Sequence, residues 1–220
     1  MSADGGLLGR EGIESLLAEL GRRCANKGIA AEMFMVGGGA MALAYSRERV
    51  TRDLDAIFVP KMLVYAEARQ MADELNLPPD WLNDGVKGLM PDRRDDASRV
   101  QFVSDGLTVM VASPEYMFAM KALSARQESD TEDLLVLAKE LGVTRAEQAF
   151  AIAEKYYAPH RLSAKSAFFI EQTFAEPDPG TAEPEVPGPA DLNLTDLSTP
   201  QHRPAGGGRG SNQYRRKPKR

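Results

Sequence analysis

The chain holds one cysteine, two histidines, one tryptophan and few aromatics, 7% of its 220 residues. A single cysteine, Cys24, excludes an internal disulfide and fits a reducing compartment. Its place within a helical pattern makes it a small packed side chain before it is a reactive thiol. His160 stands beside Pro159 in a turn and His202 in a polar tail, so no Ser-His-Asp or Cys-His arrangement can be assembled. No run reaches the roughly 18 apolar residues that a membrane span needs. Met1 to Gly9 has no charged region followed by an apolar stretch, which leaves no signal for export and predicts a soluble, cytoplasmic protein.

Positive charge is also scarce through most of the chain. Residues 1–175 carry 20 basic and 26 acidic side chains, a formal −6, which excludes a general nucleic-acid-binding surface on that body. The last residues reverse the sign. Arg203, Arg209, Arg215, Arg216, Lys217, Lys219 and Arg220 follow His202 with no acid among them. A hydrophobic fraction of 43% supports a real core.

What is present centres on Met33 to Tyr45 and Thr51 to Pro60. A short apolar run ends in Gly37, Gly38 and Gly39, and a helix-forming run of Ala, Met and Leu follows. That order reads as strand, tight turn and helix start. Glycines let the backbone approach a ligand, and the free N–H groups of a helix start suit a phosphate. The second run, Leu54 to Val59, is preceded and interrupted by Asp53 and Asp55. Two residues apart in a strand, both carboxylates project from one face. Side by side they repel unless a cation lies between them, and hard oxygen ligands suit Mg²⁺. The alternative is a solvated strand end. Thr51 and Arg52 are placed to contact phosphate, although Arg52 could equally neutralise the aspartates.

A glycine turn, a short helix and an Asp-x-Asp on the next strand resemble the signature of the nucleotidyltransferase-fold superfamily. Within it the chain is most similar to the AbiEii-type branch of type IV toxin–antitoxin and abortive-infection systems, with fourteen residues between Gly38 and Asp53. The resemblance covers about Met33 to Leu135, and more loosely reaches Ala175. It implies a Mg²⁺-dependent enzyme in which Asp53 and Asp55 hold the metal and the triphosphate of an NTP. Lys121-x4-Arg126-x3-Asp130-x2-Asp133 resembles a late series of that family. By that likeness Lys121 binds phosphate, and Asp130 or Asp133 acts as base or orienting group. The local alternative makes Asp130 a helix N-cap and Asp133 a first-turn acid. In the related toxins the acceptor can be tRNA, so the resemblance also implies RNA and a cognate antitoxin as partners.

One departure is visible. The family's third acid stands on a neighbouring strand, and Leu107-Thr-Val-Met-Val111 has none. That gap favours a second expectation, a non-catalytic module of the same fold that binds a nucleotide or a protein partner.

Taken in order, the patterns predict a helix over 11–27, a strand over 29–36, a short helix over 39–46 and a polar connection over 48–52. The strand at 54–59 and a helix over 61–76 follow, the latter burying Leu63, Ala66, Met71 and Leu75. A loop over 77–85 carries Trp81, read first as a core cap and second as a base-stacking platform. Asn83 and Asp84 read as turn formers. Charged loop 91–97 precedes a hairpin, 98–103 and 107–111, turned at Asp105-Gly106. Ser113-Pro114-Glu115 opens a helix to about Arg126, and a further helix runs to Leu141. Thr144 and Glu147 form a capping box for a helix to Tyr157, and a last helix spans Ser163 to Phe174. The sum is an α/β (α+β) domain over 1–175, a small mixed sheet flanked by helices with a helical C-terminal half. A disordered tail over 176–220 follows.

Overall fold

A computed structural model describes residues 6–175, with the side chains of 127–129 left aside. The tail at 176–220 and its basic end lie outside the described residues.

Helix α1 (Arg10–Asn26) buries Ile13, Leu16, Leu17, Leu20 and Cys24, the face that the 3.6-residue period predicts. Strand β1 (Ala31–Val36) runs straight into α2 (Gly37–Ala40), which continues as a π-helical turn over Met41–Tyr45. Then come β2 (Leu54–Val59), α3 (Lys61–Leu75), β3 (Leu82–Asn83), β4 (Arg99–Ser104) and β5 (Leu107–Val111). Helices α4 (Pro114–Ser124), α5 (Gln127–Leu141), α6 (Ala146–Tyr156) and α7 (Ala164–Thr173) complete an α/β architecture. None of the described helices is long and apolar enough to cross a membrane.

The five strands form one mixed sheet in the order β3-β2-β1-β5-β4. β1 is antiparallel to β2 and parallel to β5, β2 is parallel to β3, and β4 is antiparallel to β5. Cross-strand register sorts the side chains into two faces. Met33 aligns with Phe58 and Val109, and Met35 with Ala56 and Val111, all buried. That face is covered by α1 and α3, which pack on each other, with Phe58 edge-on to Tyr65 of α3. On the other face Phe34 aligns with Ile57 and Met110, and Val36 aligns with Asp55. Here α4 covers the Phe34 end, with Tyr116 edge-on to Phe34 at 5.7 Å between centroids. The Asp55 end opens on a cleft.

Several expectations are corrected. The buried side of α3 is Val64, Glu67, Ala68, Met71 and Ala72, whereas Leu63 and Leu75 are about half exposed. The helix is turned so that Glu67 goes inside, where its carboxylate pairs with Lys27 at the C-cap of α1. The predicted loop at 77–85 contains β3, and the strand at 107–111 flanks β1, so β2 has β3 as its outer neighbour. Trp81 is a core residue, 1% exposed, whose indole N–H donates to the Ala68 carbonyl at 2.9 Å.

The capping box of α6 is shifted. Gln148, not Glu147, reaches back, its Oε1 accepting from the N–H groups of Thr144 and Arg145 at 2.9 and 3.1 Å. Ser113 caps α4 as predicted, its hydroxyl accepting from Tyr116 N–H at 3.4 Å with Pro114 next in line. Between α4 and α5 the chain breaks at Ala125, in the left-handed region with φ +48°. Asp130 therefore lies inside α5, three residues past its start, and is not the N-cap; Asp133 falls beyond the first turn.

Candidate active site

The cleft holds about 720 Å³ and gathers residues from distant parts of the chain. Its floor is the end of β2 with the preceding loop, where Thr51, Arg52, Asp53 and Asp55 stand opposite Gly37 and Gly38. Its far wall is one face of α4, Met117, Met120, Lys121 and Ser124, at helical spacing. Leu7, Val86 and Leu89 add apolar surface, and Arg126 and Asp130 close the rim. Its lining mixes charged and apolar side chains.

Asp53 and Asp55 are half-buried on the same side of the strand, while Leu54 and Ala56 between and beyond them are buried on the other. The period-2 reading thus places both carboxylates in the cleft. Burial, and then the neighbouring Asp53 charge, push the Asp55 carboxyl above its ordinary range, with Arg126, Asn83 and Lys121 pulling the other way. The loop before Asp53 is held from behind. Thr51 pairs with Leu8, N–H to carbonyl at 2.7 and 3.0 Å, and its hydroxyl donates to the Asp53 carbonyl at 3.1 Å.

The glycines serve the site in two ways. Gly37 sits at φ +66°, a conformation that costs side-chain-bearing residues energy, and its bare Cα leaves room for Asp55. Gly38 does the same for Thr51. Gly39 is buried against Leu54 and Met35 and does not line the cleft.

Lys121 is brought to the cleft, but it is engaged. Its ammonium lies 2.7 Å from Asp130 Oδ1 and 2.8 Å from Asp133 Oδ2, and all three side chains are nearly excluded from water. The Asp130 carboxylate also accepts from the Ser124 hydroxyl and from Arg126 N–H at 3.1 Å. Burial alone would raise its pKa, but the Lys121 charge and these hydrogen bonds prevail and hold it below the ordinary value. Arg52 and Arg126 are exposed cations lining the cleft.

Two participants escape a reading of sequence alone. Asn83 aligns with Asp55 across the β2–β3 pair, and its amide N–H donates to Asp53 Oδ2 at 3.3 Å. It occupies the outer-neighbour place, with a neutral side chain. A two-residue strand carries no periodicity by which to find it. Arg49, in the stretch read as a polar connection, forks onto Asp133. Among the described residues no group of three or more His, Cys, Asp or Glu side chains is arranged to hold a metal.

No family model and no curated protein matches the chain. Among solved structures it is similar to an antigenic nucleotidyltransferase-like protein from Paracoccidioides brasiliensis, at 15% identity. The match covers 73% of this chain and 95% of that one, with a TM-score of 0.39. A likeness this loose fixes neither an activity nor site residues.

Proposed function

We propose that the cleft is a nucleotidyltransferase site, moving a nucleotide from an NTP to an acceptor hydroxyl with release of pyrophosphate. The observation that carries this reading is the pair Asp53 and Asp55, lining the cleft immediately beside the Gly37–Gly38 turn. Two neighbouring carboxylates, one of them raised in pKa by burial and then by the charge of the other, are a donor set that a hard divalent cation relieves. Asp53 and Asp55 would hold Mg²⁺ as a partial site, whose remaining oxygens would have to come from phosphate and water. A metal there supplies charge stabilisation of the transferring phosphoryl group.

The chain's own residues account for binding. Arg52 and Arg126 present free charge to a triphosphate, and Met117, Met120, Val86 and Leu89 give a base an apolar wall. Lys121 adds its field from within the α4 face. Asp130, drawn below its ordinary pKa, is a poor proton acceptor and serves to orient Lys121. The assignment of a tRNA acceptor, a toxin role and an antitoxin partner within the AbiEii-type branch belongs to this proposal and draws on the motif resemblance alone.

The test is incubation with each labelled NTP, total RNA and Mg²⁺. Label should pass to an acceptor, and Asp53→Ala combined with Asp55→Ala should abolish transfer. Unchanged transfer in the double variant sinks the reading.

A second reading has its own support. The strand at 107–111 carries no acid, the side chain beside Asp53 on β3 is the neutral Asn83, and Lys121 is tied to two acids. A non-catalytic module that binds a nucleotide or a protein partner is consistent with all three. Calorimetry separates the two, since nucleotide binding that ignores Mg²⁺ favours the second.

A further inference from the structure

In the loop that leads into Asp53, Arg49 reaches across to the helical half. Its guanidinium forks onto Asp133, Nε to Oδ1 at 2.9 Å and Nη2 to Oδ2 at 3.3 Å, while Nη1 donates to the Val50 carbonyl at 2.6 Å. Asp133 is 2% exposed, and Lys121 shares its Oδ2. Lys121 in turn meets Asp130. The row Arg49, Asp133, Lys121, Asp130 therefore alternates in sign and is formally neutral.

We propose that Arg49 is a positioning residue that keeps the Lys121 charge available to the cleft by sharing the Asp133 carboxylate. The inference rests on the nucleotide reading only in supposing that the ligand is a polyphosphate. Each of the three guanidinium nitrogens of Arg49 already has an acceptor in the protein, unlike the exposed Arg52 and Arg126 at the same cleft. Arg49 also lines the cleft, so an effect routed through Asp133 and a direct contact are the two alternatives that variants must separate. Remove Arg49, and the remaining three groups carry one net negative charge. The whole of the Asp133 charge then falls on Lys121, in a place where water screens little. A polyanion arriving at the α4 wall meets a carboxylate-rich cluster in place of a balanced one. A direct phosphate contact by Arg49 would look different, because deleting Asp133 could not repair its loss.

That difference is the test, made on the full chain. Two measurements are taken on Arg49→Gln, Asp133→Asn and the double variant. The first is calorimetric binding of inorganic tripolyphosphate. The second is the rate of Lys121 acetylation by acetic anhydride, read by peptide mass spectrometry, which needs no ligand. Arg49→Gln should weaken tripolyphosphate by about tenfold or more, the size of effect that a lost partner in a buried charge pair produces. It should also slow Lys121 acetylation, because a carboxylate no longer shared with Arg49 holds the Lys121 side chain more tightly in its ion pair. The double variant should regain both. Asp133→Asn alone should bind tripolyphosphate more tightly than the parent and acetylate faster, which keeps the proposal testable if Arg49→Gln does not fold.

A double variant no better than Arg49→Gln, or an Asp133→Asn protein that binds more weakly and acetylates more slowly, overturns it. If the parent protein binds neither tripolyphosphate nor any NTP, the nucleotide reading fails, while the acetylation rates still decide the role of Arg49.

Discussion

Gly37 and Asp55 are packed so closely that a Cβ on the first would lie 2.7 Å from Oδ2 of the second. Gly37 also has φ +66°. Gly37→Ala should therefore cost about 1–2 kcal/mol from backbone strain alone, and displace the Asp55 carboxylate besides. Urea unfolding checks the first part. A fall in divalent-cation binding larger than the stability loss explains, followed with Mn²⁺, checks the second.

Gly38 poses a neater version of the same problem. A Cβ there would lie 2.6 Å from the Thr51 hydroxyl and 3.0 Å from its Cβ. Gly38→Ala should destabilise the protein, and Thr51→Ala on top of it should recover part of the loss, since the closest clashing atom has gone. Non-additive melting temperatures across the four proteins would show the coupling. Additive ones would mean that the loop gives way elsewhere.

The Lys121–Asp130 pair separates what a buried ion pair contributes from what breaking it costs. Asp130→Ala leaves Lys121 beside Asp133 but strips the Arg126 N–H of its acceptor and leaves the Ser124 hydroxyl with the Lys121 carbonyl, so a loss of about 3–5 kcal/mol is expected. Lys121→Met leaves Asp130 with hydrogen bonds but no charge partner and should cost a similar amount. Replacing both, as Lys121→Met with Asp130→Leu, should cost less than either single change if neighbours can close over the new apolar pair. Denaturant midpoints at constant m decide among these.

How far the residue pattern anticipates these contacts depends on how local each one is. The α1 face, the Ser113 cap and the Asp53–Asp55 pair are written in spacings of two to four residues, so period and capping chemistry suffice to find them. The α3 face is not, because its polar-looking side is buried through Glu67, whose partner Lys27 lies 40 residues away. Nor is the break at Ala125, which takes a left-handed conformation without a glycine or asparagine to announce it. β3 is two residues long, too short for any alternation, and its pairing with β2 depends on Trp81, whose carbonyl accepts from Leu54 N–H at 2.7 Å. Asn83 and Arg49 join the site only through such long-range pairings.

Acid should expose the Asp130 cluster. An aspartate in the unfolded chain titrates near 3.8, and in the folded protein the Lys121 charge and the hydrogen bonds to its carboxylate hold Asp130 lower. A carboxyl depressed in this way contributes stability that is fully present above its unfolded pKa and is lost as the pH falls through the folded one. Unfolding free energies should therefore fall more steeply with acid in the parent than in Asp130→Asn, as the pH drops through and below the unfolded aspartate value. The two curves should converge at the acid end. Parallel curves would show that Asp130 titrates normally in the fold.

Asn83 gives the sharpest prediction about the metal. Its amide donates to Asp53 from the strand beside β2, in register with Asp55. Asn83→Asp would change a donor into a third carboxylate without altering length. Without a cation, three like charges in one half-buried patch repel, so the variant should be less stable than the parent in chelator. With Mn²⁺ or Mg²⁺ the order should reverse, because the added carboxylate supplies a further hard oxygen ligand and ligand-linked stabilisation grows as the dissociation constant falls. A tenfold tighter site adds about 1.4 kcal/mol at saturating metal. Thermal melts of both proteins, with and without the cation, show whether the lines cross. If the variant is destabilised equally in both conditions, the Asp53–Asp55 pair does not hold a divalent ion, and the cleft takes its nucleotide by the arginines alone.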